Sequence, residues 1–196
     1  MDKFYFEIPS LERKDEIIEF LDEFVKNDSQ INGAGSLDKI YDGLSFEEAL
    51  EICLKMEDEE YAKSINRCPG KTFLLIRERD NRIVGSINLR WNLNEALLKH
   101  GGHIGYEIRP SERRKGYNKL NLYMVLKEAK LRSIPKVMLS CDEDNLGSNG
   151  TIKALGGVLE RKDVYKDKPC NVYWIDVNES LENNKEIYEQ YISNNK

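Results

Sequence analysis

GGHIGYEIRPSERRKGYN, residues 101–118, is the stretch on which the reading of this chain turns. It reads as a strand, a turn, a basic loop containing a glycine, and the first turn of a helix. Ile104, Tyr106 and Ile108 fall on one face of the strand, and His103, Glu107 and Arg109 on the other. Pro110 ends the strand, because proline cannot donate to a ladder. Arg113, Arg114 and Lys115 then bring positive charge to the point where the helix begins. A helix start adds unpaired N–H groups and the positive end of the peptide dipole. This combination predicts an anion site, most naturally for phosphate. The loop is not a P-loop, since it lacks the second glycine and the GK[ST] ending, and it is not the dinucleotide pattern G-x-G-x-x-G.

Working outward, Leu122, Val125, Leu126 and Ala129 repeat at helical spacing, and Pro135 closes that helix. Residues 136–141 are a short apolar run, as in a buried strand. Residues 142–149 are polar and turn-like, and residues 151–155 predict a short helix stopped by Gly156-Gly157. Residues 158–165 and 170–177 predict a last strand pair. On the other side, residues 72–79 and 82–90 flank Asp80-Asn81, a strong hairpin signal. Asn94 is placed to cap a short helix.

Further upstream, residues 3–8 predict a first strand, and Ser10 is a candidate helix cap. Ile17, Phe20, Leu21 and Phe24 make one apolar helix face. Residues 29–44 hold three glycines and read as a long loop, a class of segment that is often functional. Ser45 and Glu48 match a capping box. Cys53, on the apolar face of the helix that follows, reads as a core filler. Near the C-terminus, Ile187, Tyr188, Tyr191 and Ile192 share a helical face that predicts a tail able to dock.

The bulk properties narrow the function classes. The chain has 196 residues, with 40% hydrophobic and 33% charged, which fits one globular domain over 1–196 with a solvated surface. A net charge of −5 gives no general attraction to nucleic acid or an anionic membrane. The basic loop is therefore local and suits a small anionic ligand. Four cysteines without a CxxC pair, and two histidines in no ligand-like spacing with them, predict no metal site. No stretch is apolar enough for a signal peptide or a membrane span, so the cytoplasm is the expected compartment.

At this point the residues resemble the GCN5-related N-acetyltransferases (GNAT). Their acetyl-CoA loop has the pattern [RQ]-x-x-G-x-[GA]; Arg113 and Gly116 match it, and Asn118 departs from the final small residue. Asn145 and Ser148, followed by Gly156-Gly157, resemble the second signature, in which an asparagine and a small residue contact the pantetheine arm. The run from Leu89 to Tyr117 resembles a subgroup of predicted bacterial acetyltransferases. The resemblance covers roughly residues 70–177, the acetyl-CoA-binding core. Residues 1–69 would be the variable acceptor-side half, and 178–196 a C-terminal tail.

The resemblance implies an α/β (α+β) fold: a mixed, mostly antiparallel sheet of six to seven strands, a splayed central parallel pair (103–109 and 136–141), and helices on both faces. It implies that acetyl-CoA is held by the backbone of Tyr106, Glu107 and Ile108, and by the amides of Arg114, Lys115, Gly116, Tyr117 and Asn118. An unidentified primary amine, on a small molecule or a peptide, would attack the thioester directly. The protein would act as a monomer or homodimer.

That chemistry needs a base for the amine and a proton for the leaving thiolate. His103 and Glu107 are the candidate bases, with His103 favoured by its place near the start of the strand. The other reading makes them a hydrogen-bonded strand residue and an ion-paired or solvated one. The family's usual thiolate acid is a tyrosine seven residues after the asparagine, and here that position is Ile152. Tyr117, Tyr165 and Tyr173 are possible substitutes. The alternative function is an acyl-CoA-binding module with little turnover. Trp91, Asn92 and Asn94 could line an acceptor pocket, or form an ordinary hairpin-edge loop.

Overall fold

Two antiparallel sheets meet edge to edge in the computed structural model, which describes residues 2–193. The first contains β1 (Phe4–Glu7), β2 (Gly70–Arg77), β3 (Arg82–Arg90) and β4 (Ile104–Ile108), in that order. The second contains β5 (Lys136–Asp142), β6 (Val158–Tyr165) and β7 (Lys168–Asp176), in the order β5–β7–β6. Among the described residues, seven α-helices accompany them, besides short 3-10 turns: α1 (Lys14–Lys26), α2 (Phe46–Lys55), α3 (Glu59–Ser64), α4 (Glu95–Lys99), α5 (Tyr117–Leu131), α6 (Leu146–Ala154) and α7 (Val177–Tyr188).

Helices cover both faces of the first sheet, which is why β2 is buried through nearly its whole length. On one face, Tyr5, Leu74, Ile76 and Ile83 pack on α1 and α2. The α1 side chains Ile17, Phe20, Leu21 and Phe24 are at most 1% exposed. Each contributes about 2 kcal/mol when removed from water, enough to dock a helix that would be marginal alone. On the other face, Phe73, Ile87, Leu89 and Ile104 meet α5 in a core that continues under the second sheet through Val137, Leu139, Tyr173 and Ile175. Shared between the sheets, α5 is buried on most sides.

The local signals hold except at Ser10, whose side chain makes no cap bond and leads into a short 3-10 turn, α1 being entered from Arg13. Ser45 and Glu48 form the reciprocal capping box, and Asn94 Oδ1 accepts from Leu97 N at 3.0 Å to start α4. The tail docks through three of the four expected residues, Tyr188, Tyr191 and Ile192. α7 ends at Tyr188, and Tyr188 and Ile192 pack on the core while Ile187 remains 51% exposed. Ser193 N donates to Phe4 O at 2.8 Å and fixes the end of the chain beside β1.

The junction of the sheets lies between β4 and β5. They share one isolated bridge, Gly102 opposite Leu139, which is antiparallel in type. Among the described residues no ladder joins them beyond it. The expected parallel pair is therefore not seen as a pairing; the two strands are facing, unladdered edges.

Candidate active site

The loop after β4 carries out only part of the charge scheme read from the sequence. Arg114 (φ 65°) and Gly116 (φ 83°) both adopt left-handed backbone and turn the chain into α5. Gly116 is the helix N-cap, and glycine enters this conformation without steric cost. Among the described residues, nothing accepts from the amides of Arg114, Lys115, Gly116, Tyr117 and Asn118. They form an unsatisfied donor set at a helix start.

The side chains divide. Arg113 turns back, donating to Ser29 Oγ at 2.6 Å and to Ile108 O at 3.2 Å. Lys115 pairs with Glu112 at 2.7 Å. Tyr117 stacks on Phe4 with ring centroids 4.9 Å apart. Asn118 Oδ1 is buried without a hydrogen-bond partner. Arg114 is exposed and makes no side-chain hydrogen bond or ion pair among the described residues, which leaves it as the loop's available cation.

β4 supplies an open backbone edge. Arg90 N donates to His103 O at 2.7 Å, and Arg109 N donates to Val84 O at 2.9 Å. Hydrogen bonds in an antiparallel pair alternate, so the odd-numbered residues of β4 bond to β3. The backbone groups of Tyr106 and Ile108 therefore face the gap toward β5, whereas the Glu107 backbone is directed at Ser86, its register partner. Across the gap, the Tyr106 hydroxyl meets Ser148 Oγ at 2.7 Å. Burial pushes the Tyr106 phenol above its ordinary pKa. Asn145 Oδ1 accepts from Ser148 N at 3.0 Å and so caps α6.

Ile152 lies fully inside the core, so the hydroxyl at this end of the gap comes from Tyr106 and Ser148. Tyr173 is engaged elsewhere, donating to Asn149 Oδ1 at 2.7 Å. Tyr165 stacks beside His100. Burial raises the Cys141 thiol, which disfavours a thiolate nucleophile there.

His103 and Glu107 sit in different surroundings. His103 N donates to Met138 O at 2.8 Å, and its Nδ1 accepts from Met138 N at 2.9 Å. The imidazole thus clasps β5 where the ladder is missing. Burial, aided by nearby Arg90, lowers its pKa to about 4 and keeps it neutral. Glu107 is 5% exposed. Its Oε1 accepts from Ser86 Oγ at 2.7 Å and its Oε2 from Asn32 N at 2.6 Å. Burial pushes this carboxyl up to about 7, against hydrogen bonds from Asn32, Ser86 and Gly33 that favour the ionised form. The long loop of residues 29–44 is therefore a strap that folds over β4 and holds this group. The sequence pattern contains no sign of Ser86 or Asn32 in this role, because both reach Glu107 through long-range packing.

Beside the strap is a cavity of about 270 Å³ lined by Ser36, Cys53, Thr72, Asn88, Arg90 and Asn94, among others. Asn94 thus borders a pocket, as one sequence reading had it. Trp91 and Asn92 line a second cavity, of about 870 Å³, together with His103 and Trp174. The Trp91 indole also donates to Glu59 at 3.2 Å and lies under Arg132, 3.7 Å from its ring centroid.

Facing strand edges that part beyond one bridge lead into an amide-lined turn and a buried helix. The chain matches the acetyltransferase (GNAT) family over residues 36–156. It belongs to that family and is an acetyltransferase. Among solved structures, it is similar to the ribosomal-protein-S5-alanine acetyltransferase from Vibrio fischeri, with TM-score 0.66 and 13% identity over 91% of this chain and 95% of that one. It is also similar to the spermidine/spermine N-acetyltransferase SpeG from Vibrio cholerae, with TM-score 0.61 and 14% identity over 92% and 98%. A third is the microcin C7 self-immunity acetyltransferase MccE, solved with acetyl-CoA and AMP, with TM-score 0.60 and 15% identity over 90% and 93%. At these identities the likeness is one of fold. No curated protein sequence matches the chain.

Proposed function

We propose that this acetyltransferase moves the acetyl group of acetyl-CoA to a primary amine by direct attack, with Glu107 as the base. The observation that carries the reading is the open β4 edge leading to a turn whose amides, residues 114–118, have no partner among the described residues. An open strand edge takes an extended chain of amides as an added strand, and the pantetheine arm is such a chain. The Tyr106 and Ile108 backbones would hold it. The free amides and Arg114 would hold the pyrophosphate. Acetyl-CoA supplies the activated acyl carbon.

The attacking nitrogen forms the amide bond as the C–S bond breaks. Glu107 takes the amine's proton, directly or through one water. Its carboxyl, held near neutrality by burial, suits a base at physiological pH. His103, whose Nδ1 is committed to Met138, positions the strands instead. The Tyr106–Ser148 hydroxyl pair is placed to protonate the leaving thiolate in place of Ile152. In this reading residues 1–69 form the acceptor side and 70–177 the cofactor core of one domain.

Calorimetry of acetyl-CoA binding tests the loop. Gly116→Glu places a carboxylate against the pyrophosphate and is expected to weaken binding at least 100-fold. Gly116→Ala is the control for backbone strain, since a Cβ there meets nothing within 4 Å, and it is expected to bind within several-fold of wild type. An unchanged affinity for Gly116→Glu would remove the loop from the cofactor site.

A further inference from the structure

The strand register lays a polar row on one face of the first sheet. Ser86, Asn88 and Arg90 alternate along β3; Thr72 of β2 and Gly105 of β4 are paired with Asn88, and Glu107 with Ser86. The other face of these strands is apolar core, with Phe73, Ile87, Leu89 and Ile104. Most of the polar row closes on itself: Ser86 bonds Glu107, and Asn88 Nδ2 donates to Thr72 Oγ1 at 3.0 Å.

Arg90 does not close. Its Nε is buried without a hydrogen-bond partner, and it forms no ion pair with a carboxylate among the described residues. Burial is the main influence on the group and lowers its pKa to about 10, with Cys68 opposing and Arg67 adding to the effect. It therefore carries a full charge at neutral pH. Asp38 is within electrostatic reach of Arg67 and Glu107 but is not paired with Arg90. The side chain as a whole is half-buried, but its Nε is cut off from water. A cation placed so without a counter-charge is costly, and a bound anion relieves it.

The position is informative. Arg90 lines the 270 Å³ cavity, a size suited to a small metabolite. Its Nη2 lies 3.3 Å from where a Cβ on Gly105 would sit. With no side chain at Gly105, the guanidinium and the Asn32 carbonyl, whose oxygen lies closer still to the same point, both rest against β4 two residues before Glu107. Glu107 itself lies outside the cavity's lining, so its proton transfer from an amine there runs through one water. Two residues of a strand span about 7 Å.

We infer that this cavity is the acceptor subsite and takes a short amine that also carries an oxyanion, carboxylate or phosphate, bound by the Arg90 guanidinium about 7 Å along β4 from the Glu107 carboxylate that receives the amine's proton. The inference rests on Glu107 being the base. Small amino acids and phosphorylated amino alcohols have both groups within such a span. A polyamine would meet Arg90 and Arg67 with like charge and is disfavoured.

The test uses matched acceptors: glycine against glycinamide, β-alanine against β-alaninamide, and phosphoethanolamine against ethanolamine. CoA release is followed with acetyl-CoA saturating. The oxyanion member of at least one pair is expected to exceed its neutral partner 10-fold or more in kcat/KM, and the pair with the larger ratio distinguishes carboxylate from phosphate. Arg90→Met should erase that ratio through KM while leaving the acetyl-CoA Kd unchanged, and Arg90→Lys should restore part of it. Equal use of the neutral partners would overturn the inference. If no amine is turned over, calorimetry of the same pairs on the CoA-loaded protein decides separately. Oxyanion-selective, Arg90-dependent binding would keep the subsite while removing Glu107 as base; binding without selectivity, or no binding, would overturn the subsite.

Discussion

The two ends of the first sheet hold arginines in opposite states. Where β4 leaves the sheet, Arg109 is 1% exposed and donates to Ile83 O at 2.9 Å, Glu19 at 2.8 Å and Glu23 at 3.1 Å. Beside it, Arg77 pairs with Asp80 at 2.7 Å and Glu112 at 2.8 Å. Where β3 ends, Arg90 is half-buried, its Nε is cut off without a partner, and no carboxylate pairs with it among the described residues. At the first end desolvation is offset within the chain, and these arginines tie α1, the β2–β3 turn and the basic loop together. At the second end it is not offset, and the uncompensated group faces a cavity. Buried charge close to its partners reads as architecture, whereas buried charge without one reads as a site.

The largest expected effect breaks the closed end. Arg109→Met leaves Glu23 partly buried without its cation and is expected to cost about 3 kcal/mol in denaturant unfolding. Arg90→Met is expected to leave stability unchanged or raise it, since it removes an unpaired, half-buried charge. Equal losses for both variants would abolish the distinction between the two ends.

Glu107→Gln sharpens the open end in two ways. Loss of the base is expected to lower kcat about 100-fold and to remove the limb near pH 7 on which activity rises with pH. The stability change has a definite sign. Folding raises this carboxyl to about 7, from about 4.3 in the unfolded chain. The folded state therefore binds the proton more tightly, and its stability falls as pH rises between those values. Glu107→Gln should be more stable than wild type above pH 7, by up to roughly 4 kcal/mol, and the gap should vanish below pH 4. A parallel pair of stability–pH curves would show that Glu107 is not held near neutrality.

The smallest effect concerns His103. His103→Ala loses the bond to Met138 N and is expected to cost about 1 kcal/mol, while the limb near pH 7 persists. His103→Asn, whose Oδ1 can replace Nδ1 as acceptor, should recover part of that loss. If the limb disappears in His103→Ala, the base assignment passes from Glu107 to His103.

Much of the framework was legible because it depends on near neighbours. The α1 face, the Ser45–Glu48 box and the Asn94 cap follow from spacings of three or four residues. The hairpin was legible too, although it closes over four residues, 78–81, with Arg77 opposite Arg82, and not over the two-residue turn Asp80-Asn81. Residues 101–118 announced a strand, a turn and a helix start for the same reason. The start of α6 was read late, because Asn145 caps it from a segment that looks like loop. Ile187 was placed on the docked face because the pattern assumed a continuous helix, whereas α7 stops at Tyr188.

By itself, the amino-acid sequence determined the order of elements, the basic turn after β4 and the absence of a tyrosine at position 152. These depend on the chain's local stereochemistry and on which side chains are present. Only the tertiary structure decided which charges are free. It turned Arg113 toward Ser29, closed Lys115 on Glu112, and left Arg114 exposed. It committed His103 to Met138, bonded Glu107 to the Asn32 strap, and left Arg90 half-buried with its Nε unpartnered. Pairing and burial set the energy of a charge, and both are fixed by residues that meet in space from distant parts of the chain.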